Sequence, residues 1–201
     1  MSTADAAPRT SRGARTRARL CDAARAVFAE RGYATTRVED VVEAAGVSHG
    51  TFYTYFENKA AILDALIDAT ADDLQAVVED PWDGPDGAAT IEAVIDRFVT
   101  VFAAHGDVMR AWLEASAHEP HFRQRLREVR RGYVQRVAEV LEPVLGPTSH
   151  DPGVAAAALV AMVEGYASEG LRGDASARRA EVVRTLSGLW LGGLIRLAED
   201  G

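Results

Sequence analysis

The sequence predicts an all-α protein. Apolar residues recur at intervals of three and four along most of the 201 residues, which is the period of amphipathic helices. Loops rich in glycine and proline interrupt this pattern, most clearly at residues 81–87 and 146–153. No segment shows the strict alternation of a β-strand, and no internal repeat is evident. We therefore expect a series of helices joined by short loops.

The composition excludes several classes of protein. The hydrophobic content of 48% and the charged content of 26% are typical of a globular chain. No apolar run has the length of a membrane span, and the N-terminus lacks the apolar block of a secretion signal, so we expect a cytoplasmic protein without a membrane partner. Cys21 is the single cysteine, which is typical of a small buried side chain in a reducing compartment and excludes an internal disulfide.

The charge is unevenly distributed around a net value of −8. Residues 1–59 contain nine basic and seven acidic groups, a net charge of +2, whereas residues 60–201 contain 13 basic and 23 acidic groups, a net charge of −10. A basic segment attracts phosphate, and an acidic remainder discourages random adhesion to nucleic acid. The asymmetry indicates that the two parts have different functions.

The N-terminal part begins with a disordered basic tail over residues 1–13, which is small, polar and without apolar period. Its arginines would either enter a minor groove or remain solvated. Residues 14–31 predict a helix that Gly32 ends, and Tyr33 is expected to pack at the junction. The buried stripe of this helix consists of Leu20, Ala24, Val27 and Phe28.

Two short helices should follow. Thr36 and Glu39 have the spacing of a capping box, which predicts a helix that begins just after Thr36. Gly46 should end this helix, because glycine tolerates the left-handed conformation that a helix end often requires. The apolar stripe consists of Val38, Val41, Val42 and Ala45.

The second short helix is expected to begin at its cap Ser48 and to bury Phe52 and Phe56, which lie four residues apart on one face. The other side chains would point mostly away from the core and form a surface of hydrogen-bonding groups. These residues are His49, Gly50, Thr51, Tyr53, Thr54 and Tyr55.

Residues 35–59 resemble the DNA-binding helix-turn-helix of the TetR family, the tetracycline-repressor-like transcriptional regulators. The matching positions include the turn Ala44-Ala45-Gly46-Val47-Ser48, the segment Gly50-Thr51-Phe52-Tyr53, and the pairs Tyr55-Phe56 and Asn58-Lys59. The resemblance covers residues 14–67. It implies a helix-turn-helix DNA-binding domain over residues 14–58 and a helical ligand-binding and dimerisation domain over residues 59–201.

The resemblance also implies roles for individual residues. Phosphate contacts are expected from Thr36, Tyr53, Tyr55 and Lys59, with Arg37 as an electrostatic helper. Contacts with bases are expected from His49, Gly50, Thr51 and Thr54, and the helix cap Ser48 completes the DNA-binding set. Because this surface offers no Arg, Asn or Gln for bidentate readout of a base, a dimer would be needed on a palindromic operator with two half-sites. For Lys59 the alternative is a solvated surface charge.

Beyond the cap Asn58, a long helix should begin at Lys59 and continue until Asp80-Pro81, and apolar stripes predict five further helices. The last of these contains Gly188, Gly192 and Gly193. Each glycine costs a helix roughly 1 kcal/mol relative to alanine, so their number calls for a reason. Close approach of a second copy through the last two helices would supply one. The alternative is that these helices form only the core of one chain.

The resemblance implies a pocket for a small hydrophobic effector that releases the protein from DNA, with no cofactor. The candidate lining residues are Phe98, Phe102, His105, Met109, Trp112, Leu113, Met162 and Tyr166. The alternative is that this aromatic and methionine stripe is ordinary core.

Two other classes of function remain open at this stage. The first is a metal-dependent enzyme, since His105, Glu114, His118 and His121 are the one local cluster with metal-ligand chemistry. However, no HExxH motif accompanies them, and no nucleophile elbow or phosphate-binding loop is present. The second is a helical small-molecule-binding or interaction protein that does not bind DNA.

Overall fold

The computed structural model describes residues 11–79, 87–146, 150–170 and 179–199. Within these ranges the chain forms nine α-helices and no strand, so the all-α prediction is confirmed. The helices are α1 (Ser11–Arg31), α2 (Val38–Ala45), α3 (His49–Tyr55), α4 (Lys59–Glu79), α5 (Gly87–Ala104), α6 (Gly106–His118), α7 (Pro120–Leu145), α8 (Pro152–Gly170) and α9 (Arg179–Glu199).

Three of the predicted helix ends are formed as expected. Gly46 adopts a left-handed φ of 58° after α2. The Ser48 hydroxyl accepts a hydrogen bond from the Thr51 N–H at 3.2 Å, and the Asn58 side chain accepts one from the Ala61 N–H at 2.9 Å. These side chains satisfy N–H groups that the first turns of α3 and α4 leave without a partner in the helix.

The capping box at Thr36 and Glu39 is wrong by one residue. The first helical residue of α2 is Val38, and the carboxylate of Asp40 accepts a hydrogen bond from the Arg37 N–H at 2.8 Å. Thr36 is buried, and its hydroxyl donates to the Gly32 carbonyl at 2.6 Å. It therefore closes the end of α1 instead of opening α2.

One further boundary differs from the sequence prediction. Residues 11–13, assigned to the disordered tail, form the first turn of α1, and residues 1–10 lie outside the described residues. At its other end, α7 continues past Pro143 to Leu145 and stops at Gly146, where φ is 63°. A proline in the last turn removes only one of the final hydrogen bonds of a helix, so the helix can continue past it. The expected loop residues 81–86 and 147–149 also lie outside the described residues.

The chain packs as two compact units. The first contains the residues up to Thr70 together with Asp107–Gln124, and the second contains Ala71–Gly106 and the residues from Arg125 onward. The expected sequence boundary at residues 58 and 59 is therefore not the boundary of packing, because the start of α4 and most of α6 pack with the helix-turn-helix.

Each unit has its own apolar core. In the first unit α1 packs on α2, and Leu20, Phe52 and Trp112 are completely buried. In the second unit α5 packs on both α8 and α9, which also contact each other. None of the helices described has the combination of length and apolar character needed to cross a bilayer.

Candidate nucleic-acid interface

The polar face of α3 rests on a rigid aromatic base. Phe52 is completely buried and Phe56 nearly so, with their ring centroids 5.9 Å apart. The guanidinium of Arg17 lies 5.3 Å from the centre of the Phe56 ring, and the guanidinium of Arg19 donates to the Gly46 carbonyl at 2.7 Å. α1 thus holds both the turn before α3 and the residue that ends it.

The opposite face of α3 is open to solvent. Tyr53 is 56% exposed, and its ring packs edge-on against Phe52 with centroids 5.4 Å apart, so the hydroxyl projects from a supported ring. His49, Gly50 and Thr54 are exposed as well. The Thr54 hydroxyl donates to the Gly50 carbonyl at 2.9 Å, which leaves its oxygen able to accept a further bond.

Thr51 and Tyr55 are only partly exposed and lie at the edges of this face. The Thr51 and Ser48 hydroxyls are 2.9 Å apart and hydrogen-bonded to each other. Because Ser48 also caps α3, its main role in this geometry is to fix the first turn of the helix. Arg37 is exposed at the residue before α2.

Two of the residues expected to grip phosphate are engaged inside the protein. The burial of Thr36 and the bond from its hydroxyl to Gly32 argue against a phosphate contact, since the hydroxyl neither reaches solvent nor has its hydrogen free. The Lys59 ammonium donates to the carbonyls of Tyr33 at 2.7 Å and Ala34 at 3.3 Å, and it lies 4.3 Å from the centre of the Tyr33 ring.

The environment of Lys59 is reflected in its titration. Burial lowers the pKa of Lys59, although the nearby carboxylates of Glu119 and Glu114 act in the opposite direction. Lys59 is therefore neither a solvated surface charge nor, in this geometry, a free phosphate ligand. Tyr33 is buried as expected and contacts the rings of Phe28 and Phe122 edge-on, with centroids 5.5 Å and 5.8 Å away.

Sequence reasoning missed Glu114 as a partner of the first unit. Its two carboxylate oxygens accept hydrogen bonds from the N–H groups of Tyr33 at 2.7 Å and Ala34 at 3.0 Å. It also missed the bond from Arg19 to Gly46. Both contacts join residues distant along the chain, so no local spacing in the sequence announces them.

The second unit contains a small apolar cavity of about 20 Å³. This volume is close to that of one water molecule and far below the roughly 300 Å³ of a typical ligand site. Its lining consists of Val78, Val94, Ile95, Phe98, Tyr133, Val137, Val160, Val163 and Trp190. The cavity is therefore too small for a ligand in this conformation.

The eight residues expected to line a pocket divide between the two units. Phe98 lines the cavity, and Phe102 stacks against Phe98 with centroids 5.9 Å apart. Tyr166 borders a separate open concavity of about 220 Å³ on the surface of α8 and α9. Met162 is half-buried on α8, and His105 bonds through its ring nitrogen to Asp73 at 2.8 Å. Met109, Trp112 and Leu113 belong to the first unit.

The proposed metal cluster is not assembled. Glu114 caps the turn at Tyr33, and the ring nitrogen of His121 contacts the Asp64 carboxylate at 2.9 Å. His105 belongs to the other packing unit, and His118 is exposed. In the part of the chain that the structure describes, no group of three side chains has the arrangement of a metal site.

The fold and the exposed face of α3 define a helix-turn-helix protein. Residues 20–66 match the family "Bacterial regulatory proteins, tetR family". Residues 86–192 match the domain family "Tetracyclin repressor-like, C-terminal domain". The second match alone covers more than half of the chain, and the chain belongs to the TetR family. Membership of this family identifies a transcription regulator and not an enzyme.

Three similar proteins illustrate the relationship. The transcriptional repressor KstR2 of Rhodococcus jostii is 34% identical over 94 residues, which are 46% of each chain. The fatty acid metabolism regulator protein of Bacillus subtilis is 29% identical over 124 residues, 61% of this chain and 64% of that one. The structure of FadR from Bacillus subtilis in complex with stearoyl-CoA has a TM-score of 0.73 at 21% identity, covering 88% of this chain and 98% of that chain. The matches thus span about half to two thirds of the length of these two curated relatives.

Proposed function

We propose that this protein is a cytoplasmic repressor that binds a palindromic DNA operator as a homodimer and is released by a small hydrophobic effector. The observation that carries the proposal is the exposed polar face of α3, held on buried Phe52 and Phe56 in a chain of the TetR family. An α-helix fits the major groove of DNA, where its outward side chains meet base edges and phosphates.

We assign the proposed DNA contacts according to how exposed each side chain is. His49, Gly50 and Thr54 face bases, with Thr51 at the margin, and Tyr53 and Tyr55 bond phosphates while Arg37 adds positive charge. Ser48 supports this surface by capping α3. Thr36 and Lys59 contribute from inside the protein, unless contact with DNA releases Lys59 from its carbonyl partners.

The dimer is supported by glycines that packing within one chain does not explain. Among the described residues, a Cβ atom placed on Gly165 of α8, or on Gly188, Gly192 or Gly193 of α9, would meet no atom within 4 Å outside its own stretch of helix. Beside them Leu189 and Ile195 are 55% and 59% exposed. Small residues next to exposed aliphatic side chains suit the close approach of the same two helices of a second copy.

The character of the effector is inferred from the second unit. The cavity lining is aliphatic and aromatic, which favours a hydrophobic ligand, and the cavity must enlarge to admit one. The relative from Bacillus subtilis is named a fatty acid metabolism regulator, and FadR was solved with stearoyl-CoA. Acyl compounds are therefore the first class to test.

Release from DNA requires that the effector binds better to a conformation that does not fit the operator, because a ligand with equal affinity for both states shifts nothing. We propose that the effector displaces α4, which begins at Lys59 just after the helix-turn-helix. This displacement changes the distance between the two α3 helices of the dimer.

The test begins with selection of a duplex by the wild-type protein from a random-sequence DNA library. Affinity for this duplex is then measured by fluorescence anisotropy with and without stearoyl-CoA. We expect a palindromic selected sequence, a strong decrease of affinity with salt, and weaker binding when the effector is present. Failure to select any sequence would overturn the DNA-binding function. Unchanged affinity with directly bound stearoyl-CoA would overturn the release mechanism for this ligand.

A further inference from the structure

The turn between α1 and α2 is held by two oppositely charged side chains, Glu114 and Lys59, which both bind the backbone of Tyr33 and Ala34. The Glu114 carboxylate of α6 accepts the N–H groups of Tyr33 and Ala34 at 2.7 Å and 3.0 Å. The Lys59 ammonium, from the first residue of α4, donates to the carbonyls of those two residues at 2.7 Å and 3.3 Å. Every backbone hydrogen-bonding group of Tyr33 and Ala34 therefore has a charged side chain as its partner.

This arrangement, the Glu114–Lys59 clamp, leaves little freedom to the turn. Charge-assisted hydrogen bonds are shorter and stronger than neutral ones, and a carboxylate that accepts two neighbouring N–H groups fixes their direction as well as their distance. The Tyr33 side chain is anchored at the same place by the rings of Phe28 and Phe122 and by the Lys59 ammonium over its face. The residues next to Tyr33 in the sequence would not by themselves predict these contacts.

The clamp acts on the element that positions α3. The turn ends at Arg37, the residue before α2. The Gly46 turn then connects α2 to α3. Glu114 belongs to α6, which lies within the C-terminal domain match at residues 86–192 although it packs in the first unit. A residue of the C-terminal domain thus holds the entrance to the helix-turn-helix directly.

From this geometry we infer that Glu114 is a positioning residue for DNA binding and that it sets, with Lys59, the placement of α2 and α3. The inference rests on the proposed DNA-binding function.

A substitution at Glu114 distinguishes a positioning role from a purely electrostatic one, because the two predict opposite changes in affinity for DNA. Glu114→Gln removes a negative charge, which by itself strengthens binding to a polyanion, most of all at low salt. It also places an amide NH2 group against one of the two backbone N–H donors, which loosens the turn. A positioning role therefore predicts weaker binding to specific DNA, against the electrostatic trend.

The experiment uses the full chain and the duplex selected by the wild-type protein, with a scrambled duplex of equal length for comparison. We expect Glu114→Gln and Lys59→Met each to lose roughly tenfold in affinity for the selected duplex. For Glu114→Gln, affinity for the scrambled duplex should equal or slightly exceed that of wild type, and the slope of log affinity against log salt should remain close to wild type. The double variant should lose less than the product of the two single losses, because both act on one turn. Asp72→Asn, an exposed carboxylate on α4, provides the matched change of charge and should bind the selected duplex as tightly as the wild type or slightly more tightly.

Global unfolding is separated from repositioning by thermal melts and by titration of the active fraction at a temperature where all variants are folded. A Glu114→Gln protein that binds the selected duplex as tightly as wild type, or more tightly, overturns the inference and leaves the proposed function standing. A wild-type protein that selects no duplex overturns the proposed function, and the inference with it.

Discussion

Tyr33 and Tyr53 show how burial assigns different work to the same residue type. Tyr33 is 4% exposed and packs between Phe28 and Phe122, whereas Tyr53 is 56% exposed on the open face of α3. The first ring stabilises the junction of three helices. The second has a hydroxyl that serves no partner in the core and is available to a phosphate oxygen.

Removal of the Tyr53 hydroxyl should therefore affect binding and not folding. We expect Tyr53→Phe to leave the free energy of unfolding within about 0.5 kcal/mol of wild type, as for most surface substitutions. Affinity for the selected duplex should fall by roughly three- to tenfold through the lost hydrogen bond. Tyr166→Phe on α8 removes a hydroxyl from the second unit and is the matched control. Equal affinity of both variants for DNA would contradict the assignment of Tyr53.

The ion pair of Arg25 and Asp107 makes stability depend on pH. The Arg25 Nε lies 2.8 Å from the Asp107 carboxylate. Burial by itself would raise the pKa of Asp107, but the hydrogen bonds from Arg25 and from the Val108 N–H outweigh it and lower that pKa below its usual range. A carboxyl with a lowered pKa stabilises the folded state above its unfolded pKa of roughly 4, and this stability is lost as the pH falls through the folded value.

Asp107→Asn tests this dependence. At pH 7 the variant should have a lower free energy of unfolding than wild type, since the Arg25 guanidinium loses its charged partner. The difference should shrink as the pH falls below about 4, where the wild-type carboxyl also becomes protonated. Urea denaturation at a series of pH values measures it. A difference that is constant from pH 7 to pH 3 would show that the charge of Asp107 is irrelevant.

At the scale of single residues, the sequence reveals local partners better than distant ones. The caps at Ser48 and Asn58 follow from spacings of three residues, and both are formed. The role of Thr36 depends instead on its burial. The role of Lys59 depends on carbonyl partners that are distant in the sequence, such as that of Tyr33, 26 residues away. Only the packed fold brings those groups together.

At the scale of elements, periodicity predicts helices because a helix repeats every 3.6 residues whatever its tertiary neighbours are. This is why the α1, α2 and α3 stripes are recognisable in the sequence. Which apolar side chains border a cavity depends on how helices pack, and of the eight residues expected around a pocket, Phe98 alone lines the small apolar cavity. The size of this cavity also depends on how the helices pack, which no sequence pattern encodes.

The turn between α2 and α3 provides a test at this scale. Gly46 has a left-handed φ of 58°, which costs a residue with a Cβ atom roughly 1 kcal/mol or more. We expect Gly46→Ala to lower the free energy of unfolding by about that amount and to weaken DNA binding by displacing α3. Gly132→Ala on an exposed position of α7 should have the opposite sign, since alanine is the better helix former. Urea denaturation of both variants checks the two signs, and a stabilising Gly46→Ala would contradict the proposed role of the turn.

At the scale of the whole molecule, the charge asymmetry of +2 and −10 directs the protein to DNA through its N-terminal part alone. The recognition surface of α3 has no arginine, asparagine or glutamine, so one copy reads few bases. Two copies in a fixed geometry double the contacts, and affinity for the operator then depends on assembly.

The exposed aliphatic residues of α9 test that assembly. We expect Leu189→Asp together with Ile195→Asp to raise the dimer dissociation constant by at least roughly tenfold, because the charges would be buried in the proposed interface without partners. Analytical ultracentrifugation measures this change. Leu113→Asp alters an exposed aliphatic residue of the first unit and should leave the dimer intact. A double variant that sediments as the wild-type dimer would place the interface elsewhere.

Gly192→Ala tests whether the glycines of α9 allow a second copy of the chain to approach closely. In the part of one chain that the structure describes, the added methyl group meets no atom outside its own helix, and alanine favours a helix by roughly 1 kcal/mol over glycine, so a helix that faces only solvent would become more stable. If a second copy lies against this surface, the methyl group instead separates the two chains. We therefore expect Gly192→Ala to weaken the dimer in ultracentrifugation without lowering the helical content measured by circular dichroism. In the proposed complex two α3 helices contact the operator, so the same variant should weaken operator binding at protein concentrations near the new dimer dissociation constant and recover it at higher concentrations.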